Sequence, residues 1–367
     1  MLLVQKLYMK EFLKTLIILS LGISLVFAII GFIDKIDDFM PHKPSWGLLL
    51  EYVLLTIPRY LNYLMAMATL LSSLLVFSQA IKRREIVAIK AASGKMKSIL
   101  LPFVAFGVIL TLFGFTLGEI VVPATSKKVR AIKNRITQEK KEITFKEGTL
   151  YMRGKDGSIV RVALYLPGQN ISKDVSIYRF DNKGLRERID AESAEWAGNT
   201  WKLKNVVVYD IASGNISRMP EATFPYIESP KIFQEDMWAA EEMTLPELVK
   251  YQQRLSTAGF KNEKFSVDIS SRLSYPLINL FMLILGISLS VGGEQRVFQR
   301  ILQGKSNTQG GIIAAGMGLF ISLVYWFGYS LFLSMGYAGA IPPVIAPWII
   351  PSVFAVISVY LYSQIPE

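Results

Sequence analysis

The chain of 367 residues has no cysteine and a single histidine, His42. The absence of cysteine excludes a disulfide scaffold, a zinc–thiolate site, an iron–sulfur cluster and a cysteine nucleophile. One histidine excludes a histidine-rich metal site and argues against a Ser-His-Asp triad. Charge is also scarce: 19% of residues are charged, against about 25% in soluble domains, and 51% are hydrophobic. This composition excludes a disordered chain and indicates a membrane protein.

Five stretches of the sequence carry no Asp, Glu, Lys or Arg. Four are 19 to 22 residues long, and the fifth runs for 61 residues, from Ser306 to Pro366. About 20 apolar residues suffice for a helix that crosses a bilayer, so the fifth run has room for two helices, with a turn near 341–343. The sequence therefore predicts six transmembrane helices, at about 12–33, 54–81, 98–122, 270–292, 310–334 and 342–363. The first run is longer than the apolar part of a signal peptide, and we expect a retained span.

Basic residues are concentrated in three short segments, at positions 1–14, 82–97 and 293–309. These segments hold 12 lysine and arginine residues, whereas the 34–51 loop carries four acidic residues against two lysines. Because short cytoplasmic loops are rich in lysine and arginine, both termini and the two basic loops are predicted to face the cytoplasm. The net charge of +11 is then largely a topology signal and does not indicate nucleic acid as a partner.

One long polar insert separates the third and fourth predicted helices. Residues 123–268 hold 24 basic and 20 acidic residues, a soluble mixture, and the topology places them outside the cytoplasm. Apolar and polar residues alternate, as in half-buried strands, at 158–162, 175–180 and 201–204. We predict a small all-β domain, a sandwich or jelly roll, with flanking helices. The chain is thus divided into residues 1–122 with three spans, 123–268 with the β-domain, and 269–367 with three spans.

The sequence carries no pattern that predicts catalysis. Gly304-Lys305-Ser306 resembles the end of a phosphate-binding loop, but Gln299 stands where the motif needs its first glycine. Ion-coupled carriers usually need ionisable residues inside the bilayer, whereas the candidates here lie near span ends: Arg59, Glu119 and Arg272. This argues against an ion-driven carrier and is compatible with an apolar substrate, and any energy source must lie on another protein.

An apolar substrate would need an apolar cavity within the membrane-spanning part of the protein. Aromatic residues of the predicted spans that could line one are Phe27, Phe32, Phe320, Tyr325, Trp326 and Phe327. The alternative is that these side chains face lipid or pack against neighbouring helices. Small residues also recur at spacings that allow helices to pack closely: Gly114 with Gly118, and Gly311 with Ala315 and Gly318. The sequence does not show whether the neighbouring helix belongs to this chain or to a partner.

The basic 82–94 segment favours a short amphipathic helix that ends at Gly94. Ile86, Ile89 and Lys90 would share one face, which suits docking to a cytosolic protein. The alternative is a helix that lies on anionic lipid through its basic residues.

Three local patterns resemble the lipopolysaccharide export permease family, LptF/LptG. Residues 8–34 resemble the first span of the family with its F-x-D sequence, here Phe32-Ile33-Asp34. The segment from Arg84 to Gly94 resembles its coupling helix. Ile341-Pro342-Pro343 resembles the start of the last span and is most like the LptG branch, with LptF as the alternative. The order of three spans, β-domain and three spans covers the whole chain.

The resemblance implies a non-catalytic subunit of an ABC exporter in the bacterial inner membrane, without a cofactor of its own. Family members pair as an LptF–LptG heterodimer on two cytosolic LptB ATPases. The pair admits lipopolysaccharide from the membrane and passes it, through periplasmic jelly rolls and the single-span protein LptC, toward the outer membrane. A structural envelope scaffold that transports nothing is the alternative from a different functional class.

The resemblance also implies roles for individual residues. Those expected at the ATPase-docking helix are Arg84, Glu85, Ile86, Ile89 and Gly94. Those expected near the phosphates of lipid A, which basic side chains bind well, are Lys35, Arg59, Arg130 and Lys133. Where LptG often has a lysine late in the first span, this chain has Gly31, and Lys35 one helical turn on is the candidate substitute.

Overall fold

The computed structural model describes residues 3–91, 96–137, 143–146, 149–154, 156–166, 170–181, 184–198, 200–211, 213–225, 242–257, 263–291 and 307–365. The chain forms two compact units. The helical unit comprises Met1–Thr137 and Glu263–Glu367, and the sheet unit comprises Gln138–Asn262.

The helical unit is built from ten helices among the described residues. They are α1 (Leu3–Ile33), α2 (Ile36–Phe39), α3 (Trp46–Lys82), α4 (Glu85–Ala91), α5 (Met96–Thr116), α6 (Val122–Ile136), α8 (Glu263–Ser274), α9 (Ile278–Val291), α10 (Asn307–Tyr337) and α11 (Ala346–Ser363). A π-helical turn, Leu117–Val121, joins α5 to α6, and a 3₁₀ turn, Tyr275–Leu277, joins α8 to α9. The sheet unit contains α7 (Leu245–Thr257).

Within the described ranges, six helical segments are long and apolar enough to cross a membrane, which confirms the predicted number of spans. They are Leu3–Ile33, Trp46–Lys82, Met96–Ile136, Glu263–Val291, Ile313–Tyr337 and Ala346–Ser363. Several extend beyond the charge-free runs: α1 begins at Leu3, well before the run that starts at Thr15. Lysine and glutamate are good helix formers, so a helix continues where its apolar stretch ends.

The second and fourth spans form the centre of the helical unit. In the apolar windows of these two spans 67% and 72% of the residues are buried, compared with 22–33% in the other four. One apolar cluster packs α1, α3, α5 and α9 around Phe12, Phe77 and Phe103. A second packs α3, α9, α10 and α11 around Leu70 and Tyr325. The two halves of the chain therefore meet on α3 and α9.

Small residues on α5 and α10 allow these helices to approach the central helices α3 and α9 closely. A Cβ atom added at Gly114 would approach Asn279 and Met65, and one added at Gly318 would approach Leu71. The neighbours of Gly114 and Gly318 thus belong to this chain, whereas the sequence alone did not show which chain supplies them.

We expect Gly286→Leu to destabilise the helical unit. A Cβ atom at Gly286 would collide with the Ser73 side chain and press on Leu70, both of them buried on α3. Overpacking of this kind costs about 1–3 kcal/mol of unfolding free energy or more. The matched control is Gly22→Leu on α1, because nothing lies within 4 Å of a Cβ atom there. Thermal unfolding in detergent should show a lower midpoint for Gly286→Leu alone, and equal midpoints would refute the close packing.

In the part of the sheet unit that the structure describes, seven strands form one antiparallel sheet. The strands are β1 (Ile143–Lys146), β2 (Thr149–Arg153), β3 (Ile159–Leu166), β4 (Ile171–Asp181), β5 (Gly184–Trp196), β6 (Trp201–Asp210) and β7 (Asn215–Phe224). The three stretches of alternating residues fall on β3, β4 and β6, and the inserted all-β domain is confirmed.

The strand order is β1 to β7 without a crossover. This meander is simpler than the two Greek keys of a jelly roll, because each described strand pairs with its neighbours in sequence. The turn between β2 and β3 illustrates how neighbouring strands are connected. In this turn Asp156 accepts a hydrogen bond from the Ser158 amide, and Gly157 adopts a φ of +82°. Side chains of Val160, Ile177 and Trp201 are fully buried in the sheet unit.

Candidate functional site

The link between α3 and α4 is a tight turn that exposes two arginines. Arg84 adopts a φ of +58°, its amide donates to the Ile81 carbonyl over 2.9 Å, and its carbonyl accepts from the Ala88 amide over 3.0 Å. Both Arg83 and Arg84 are exposed. The basic side chains at this end of α4 are therefore available to a partner.

Glu85, the first residue of α4, is held from two sides. The Tyr8 hydroxyl on α1 donates a hydrogen bond of 2.6 Å to its Oε2, and the Arg83 Nη1 lies 3.9 Å from its Oε1. The Glu85 side chain remains 37% exposed. The carboxylate is thus fixed and still accessible.

The isoleucines of α4 face the spans of this chain. Ile86 is 5% exposed and lies in the cluster of Phe12, Phe77 and Phe103, with Ile89 packed against the same cluster. The amphipathic pattern of α4 predicts that its apolar face is buried, but it does not show which protein buries it. In this structure the apolar face packs against helices of the same chain. Gly94, the predicted end of this helix, lies outside the described residues.

The four residues expected near lipid phosphates lie on elements that share one apolar cluster. The cluster joins α2, the first half of α3 and α6 through Phe39, Leu49, Tyr52, Ile132 and Ile136. We call the four residues Lys35, Arg59, Arg130 and Lys133 the basic rim. Lys35 directly precedes α2, Arg59 lies two turns beyond Tyr52 on α3, and the other two flank Ile132 on α6.

The basic rim is largely accessible to solvent. Arg59 is exposed, Arg130 and Lys133 are half-buried, and the Lys35 side chain is 48% exposed with its Nζ 3.8 Å from Asp38. The four basic side chains thus lie on elements that one buried apolar cluster joins, and guanidinium and ammonium groups suit a phosphate.

Position 31, where the resemblance implied a lysine, is a glycine for which the structure gives a steric explanation. A Cβ atom at Gly31 would run into the phenol of Tyr60 from α3, whose ring also lies 6.2 Å from that of Phe27. The place of a side chain at position 31 is thus taken by Tyr60. Any basic group for this part of the site has to come from a neighbouring position such as Lys35.

The six candidate cavity aromatics lie in different surroundings. Phe27, Phe320, Trp326 and Phe327 are exposed on the outer surfaces of α1 and α10, where lipid or a partner would contact them. Phe32 packs on Phe39 and Tyr52 in the cluster that joins α2, α3 and α6. Tyr325 is buried, stacked 5.7 Å from Tyr329 and edge-on to Phe354 at 5.1 Å.

An ion pair connects the third and fourth spans. Arg272 Nη1 on α8 lies 3.2 Å and 3.4 Å from the two carboxylate oxygens of Glu119, and the two side chains are 16% and 13% exposed. Glu119 sits in the π-helical turn, a rare conformation often associated with functional sites. The sequence placed both residues near span ends, but a separation of 153 positions gave no signal for their pairing.

We expect Glu119→Ala to cost about 3–5 kcal/mol of stability, because it leaves a nearly buried guanidinium without this carboxylate. Replacing both partners, as Glu119→Gln with Arg272→Met, should restore part of the loss. The control is Asp38→Ala, which breaks a half-exposed pair worth about 0–1 kcal/mol. Thermal unfolding in detergent measures all three, and a Glu119→Ala midpoint no lower than that of Asp38→Ala would contradict the expectation.

Comparison with known proteins places this architecture in context. The profile of a family described as "Lipopolysaccharide export system permease LptF/LptG" matches residues 6–364. Two relatives named lipopolysaccharide export system permease protein LptG, from Escherichia coli strain K12 and from Escherichia coli O6:H1 strain CFT073, are each 21% identical over 319 residues. The alignment covers 85% of this chain and 84% of each relative. Identity at this level does not distinguish LptG from LptF.

Proposed function

Because the chain belongs to the lipopolysaccharide export permease family LptF/LptG, we propose that it is the LptG-type membrane subunit of an exporter that extracts lipopolysaccharide from the inner membrane and passes it toward the outer membrane. The family match along nearly the whole chain is the observation that carries this proposal. The names of the two relatives favour LptG over its sister subunit LptF. In this proposal the chain is non-catalytic, and ATP is hydrolysed by a separate cytosolic subunit.

The proposed orientation follows from the distribution of charge. Both termini and α4 lie in the cytoplasm, and the sheet unit lies in the periplasm between the third and fourth spans. The 12 basic residues of the three short segments support this arrangement, since lysine and arginine favour the cytoplasmic side. The proposal also takes 123–268 as the periplasmic insert, with three spans on either side.

The proposed partners on the cytoplasmic side are two LptB-like ATPases, docked on α4. The exposed side chains of Arg83, Arg84 and Glu85 are the contact groups, because charged residues at an interface fix register and partner choice. Because Ile86 and Ile89 pack against α1, α3 and α5, a movement of α4 caused by the ATPase would move these three helices as well.

The proposed lipid site combines the basic rim with the exposed apolar surfaces of α1 and α10. The rim's guanidinium and ammonium groups pair with lipid A phosphates through charge-assisted hydrogen bonds. The exposed aromatic and aliphatic side chains of α1 and α10 contact acyl chains, an LptF-like sister permease or an LptC-like single-span protein.

The test is purification of the tagged chain from its native membrane in mild detergent, followed by mass spectrometry of proteins and lipids. We expect a second permease of the family, an ABC ATPase and lipid A species. Recovery of the chain alone, or with cell-wall proteins only, would support the envelope scaffold instead. The sister permease also identifies the branch: a partner more similar to LptG would make this chain the LptF subunit.

A further inference from the structure

We infer that Tyr8 is a positioning residue for the coupling helix: its hydroxyl fixes the Glu85 carboxylate and so sets the orientation in which α4 meets the ATPase. The inference deepens the proposed function and rests on it for its consequence in transport. The geometry itself is independent of which protein binds α4.

Tyr8 connects three helices of the same unit. It lies on α1, is 3% exposed, and its ring centroid is 6.1 Å from that of Phe77 on α3. Its hydroxyl donates to Glu85 Oε2 on α4 over 2.6 Å, across 77 positions of sequence. A buried ring thus carries a single polar contact to the one acidic residue of α4.

A second contact from the same face of α1 reaches the other end of the 82–97 segment. Gln5, three residues before Tyr8, is 6% exposed, and its Nε2 donates to the Ser98 carbonyl on α5 over 2.9 Å. Residues three apart share one face of a helix. The start of α1 therefore holds both the first residue of α4 and the first turn of α5.

The two carboxylate oxygens of Glu85 have different partners, and this difference explains what Tyr8 contributes. Oε2 accepts the hydrogen bond of the Tyr8 hydroxyl, whereas among the described residues Oε1 has Arg83 Nη1 as its neighbour at 3.9 Å, and 37% of the Glu85 side chain is exposed. A hydrogen bond to an ionised carboxylate is about twice as strong as a neutral one. Holding one oxygen internally leaves the other pre-oriented for a basic group of the partner, and less rotamer entropy is lost on docking.

Removing the hydroxyl should change the orientation of Glu85 without detaching α4. Ile86 stays anchored in the apolar cluster, and phenylalanine keeps the ring contact with Phe77. The variant Tyr8→Phe therefore tests the hydrogen bond alone.

The experiment measures ATPase affinity and lipid released per ATP hydrolysed by the full complex in nanodiscs containing lipopolysaccharide. Tyr8→Phe should weaken ATPase binding about five- to tenfold, which is less than the full value of a hydrogen bond to a charged group, because Tyr8 acts on the ATPase only by orienting Glu85. The matched control is Tyr337→Phe, which removes a hydrogen bond of 2.5 Å between a tyrosine and the Asp268 carboxylate elsewhere in the helical unit. The control should keep the affinity of the unmodified complex, and equal affinities for the two variants would overturn the inference.

A double-mutant cycle separates positioning from general packing. In a Glu85→Ala background, where no acceptor remains for the Tyr8 hydroxyl at this position, Tyr8→Phe should add less than about twofold, because the two residues act through one contact. Fully additive losses would show that Tyr8 only supports the fold, and would overturn the inference.

Hydrogen exchange of the α4 amides distinguishes this inference from the proposed function. In the chain without ATPase, exchange should be faster in Tyr8→Phe than in Tyr337→Phe. An unchanged α4 refutes the positioning role. If the unmodified chain binds no ATPase while α4 responds to Tyr8→Phe, the positioning role stands and the exporter proposal fails.

Discussion

Reversing the charge of Glu85 should detach the ATPase from the membrane subunit. In Glu85→Lys the ammonium cannot accept the hydrogen bond of the Tyr8 hydroxyl, and it adds a third cation beside the exposed Arg83 and Arg84. Losing one partner of an interfacial charge pair costs about 2–5 kcal/mol, so we expect at least about a thirtyfold loss of ATPase affinity. Co-purification of the ATPase with the tagged chain measures the effect.

The control for this charge reversal is Glu51→Lys. Glu51 is an exposed carboxylate near the opposite end of α3 from α4, and its reversal changes the net charge of the chain equally. We expect the control to retain the ATPase. A Glu85→Lys chain that is inserted in the membrane and still carries a full complement of ATPase would contradict a docking role for α4.

Neutralising two residues of the basic rim should strongly reduce the amount of lipopolysaccharide that stays bound to the purified complex. The double variant Arg130→Gln with Lys133→Gln removes two phosphate contacts from α6 while Ile132 and Ile136 keep the helix packed. Each charge-assisted contact is worth about 1.5–3 kcal/mol, so retained lipid A should fall at least about tenfold, with ATPase binding unchanged. Mass spectrometry of lipid in the purified complex gives the result.

The same helix supplies the matched control for the rim. Lys127 and Lys128 are exposed on α6, and neutralising both removes the same charge from the same element. We expect this control to retain lipopolysaccharide. An equal loss in both double variants would show that α6 attracts lipid through its overall charge, and no loss in either would exclude the rim as the phosphate site.

The spans were predictable from the sequence because their signal is local. Apolar length alone decides whether a helix can cross a bilayer, and the charge-free runs gave the correct number of spans. Alternation with period two similarly placed strands on β3, β4 and β6. The predicted ends of the helices were less accurate than their number. For example, α1 begins at Leu3 and includes Lys6 and Lys10, which lie before the predicted start of the first span.

The contacts that organise the candidate site were not predictable, because they join distant parts of the sequence. The pairing of Glu119 with Arg272 spans 153 positions, and nothing in either neighbourhood specifies the other residue. The pattern of α4 predicted an amphipathic helix correctly, yet it did not reveal that Ile86 is covered by the chain's own spans. Gly31 was recognised as a departure from the family, but the Tyr60 side chain that fills its place comes from another helix.

The decisive measurement is ATP-dependent release of lipopolysaccharide from proteoliposomes that contain the purified complex. With the proposed LptC-like protein present as acceptor, we predict that lipopolysaccharide moves to the acceptor when ATP is present and that Glu85→Lys abolishes the transfer. Active ATP hydrolysis without transfer, or equal transfer in the absence of ATP, would contradict the assignment of this chain as the membrane subunit of a lipopolysaccharide exporter.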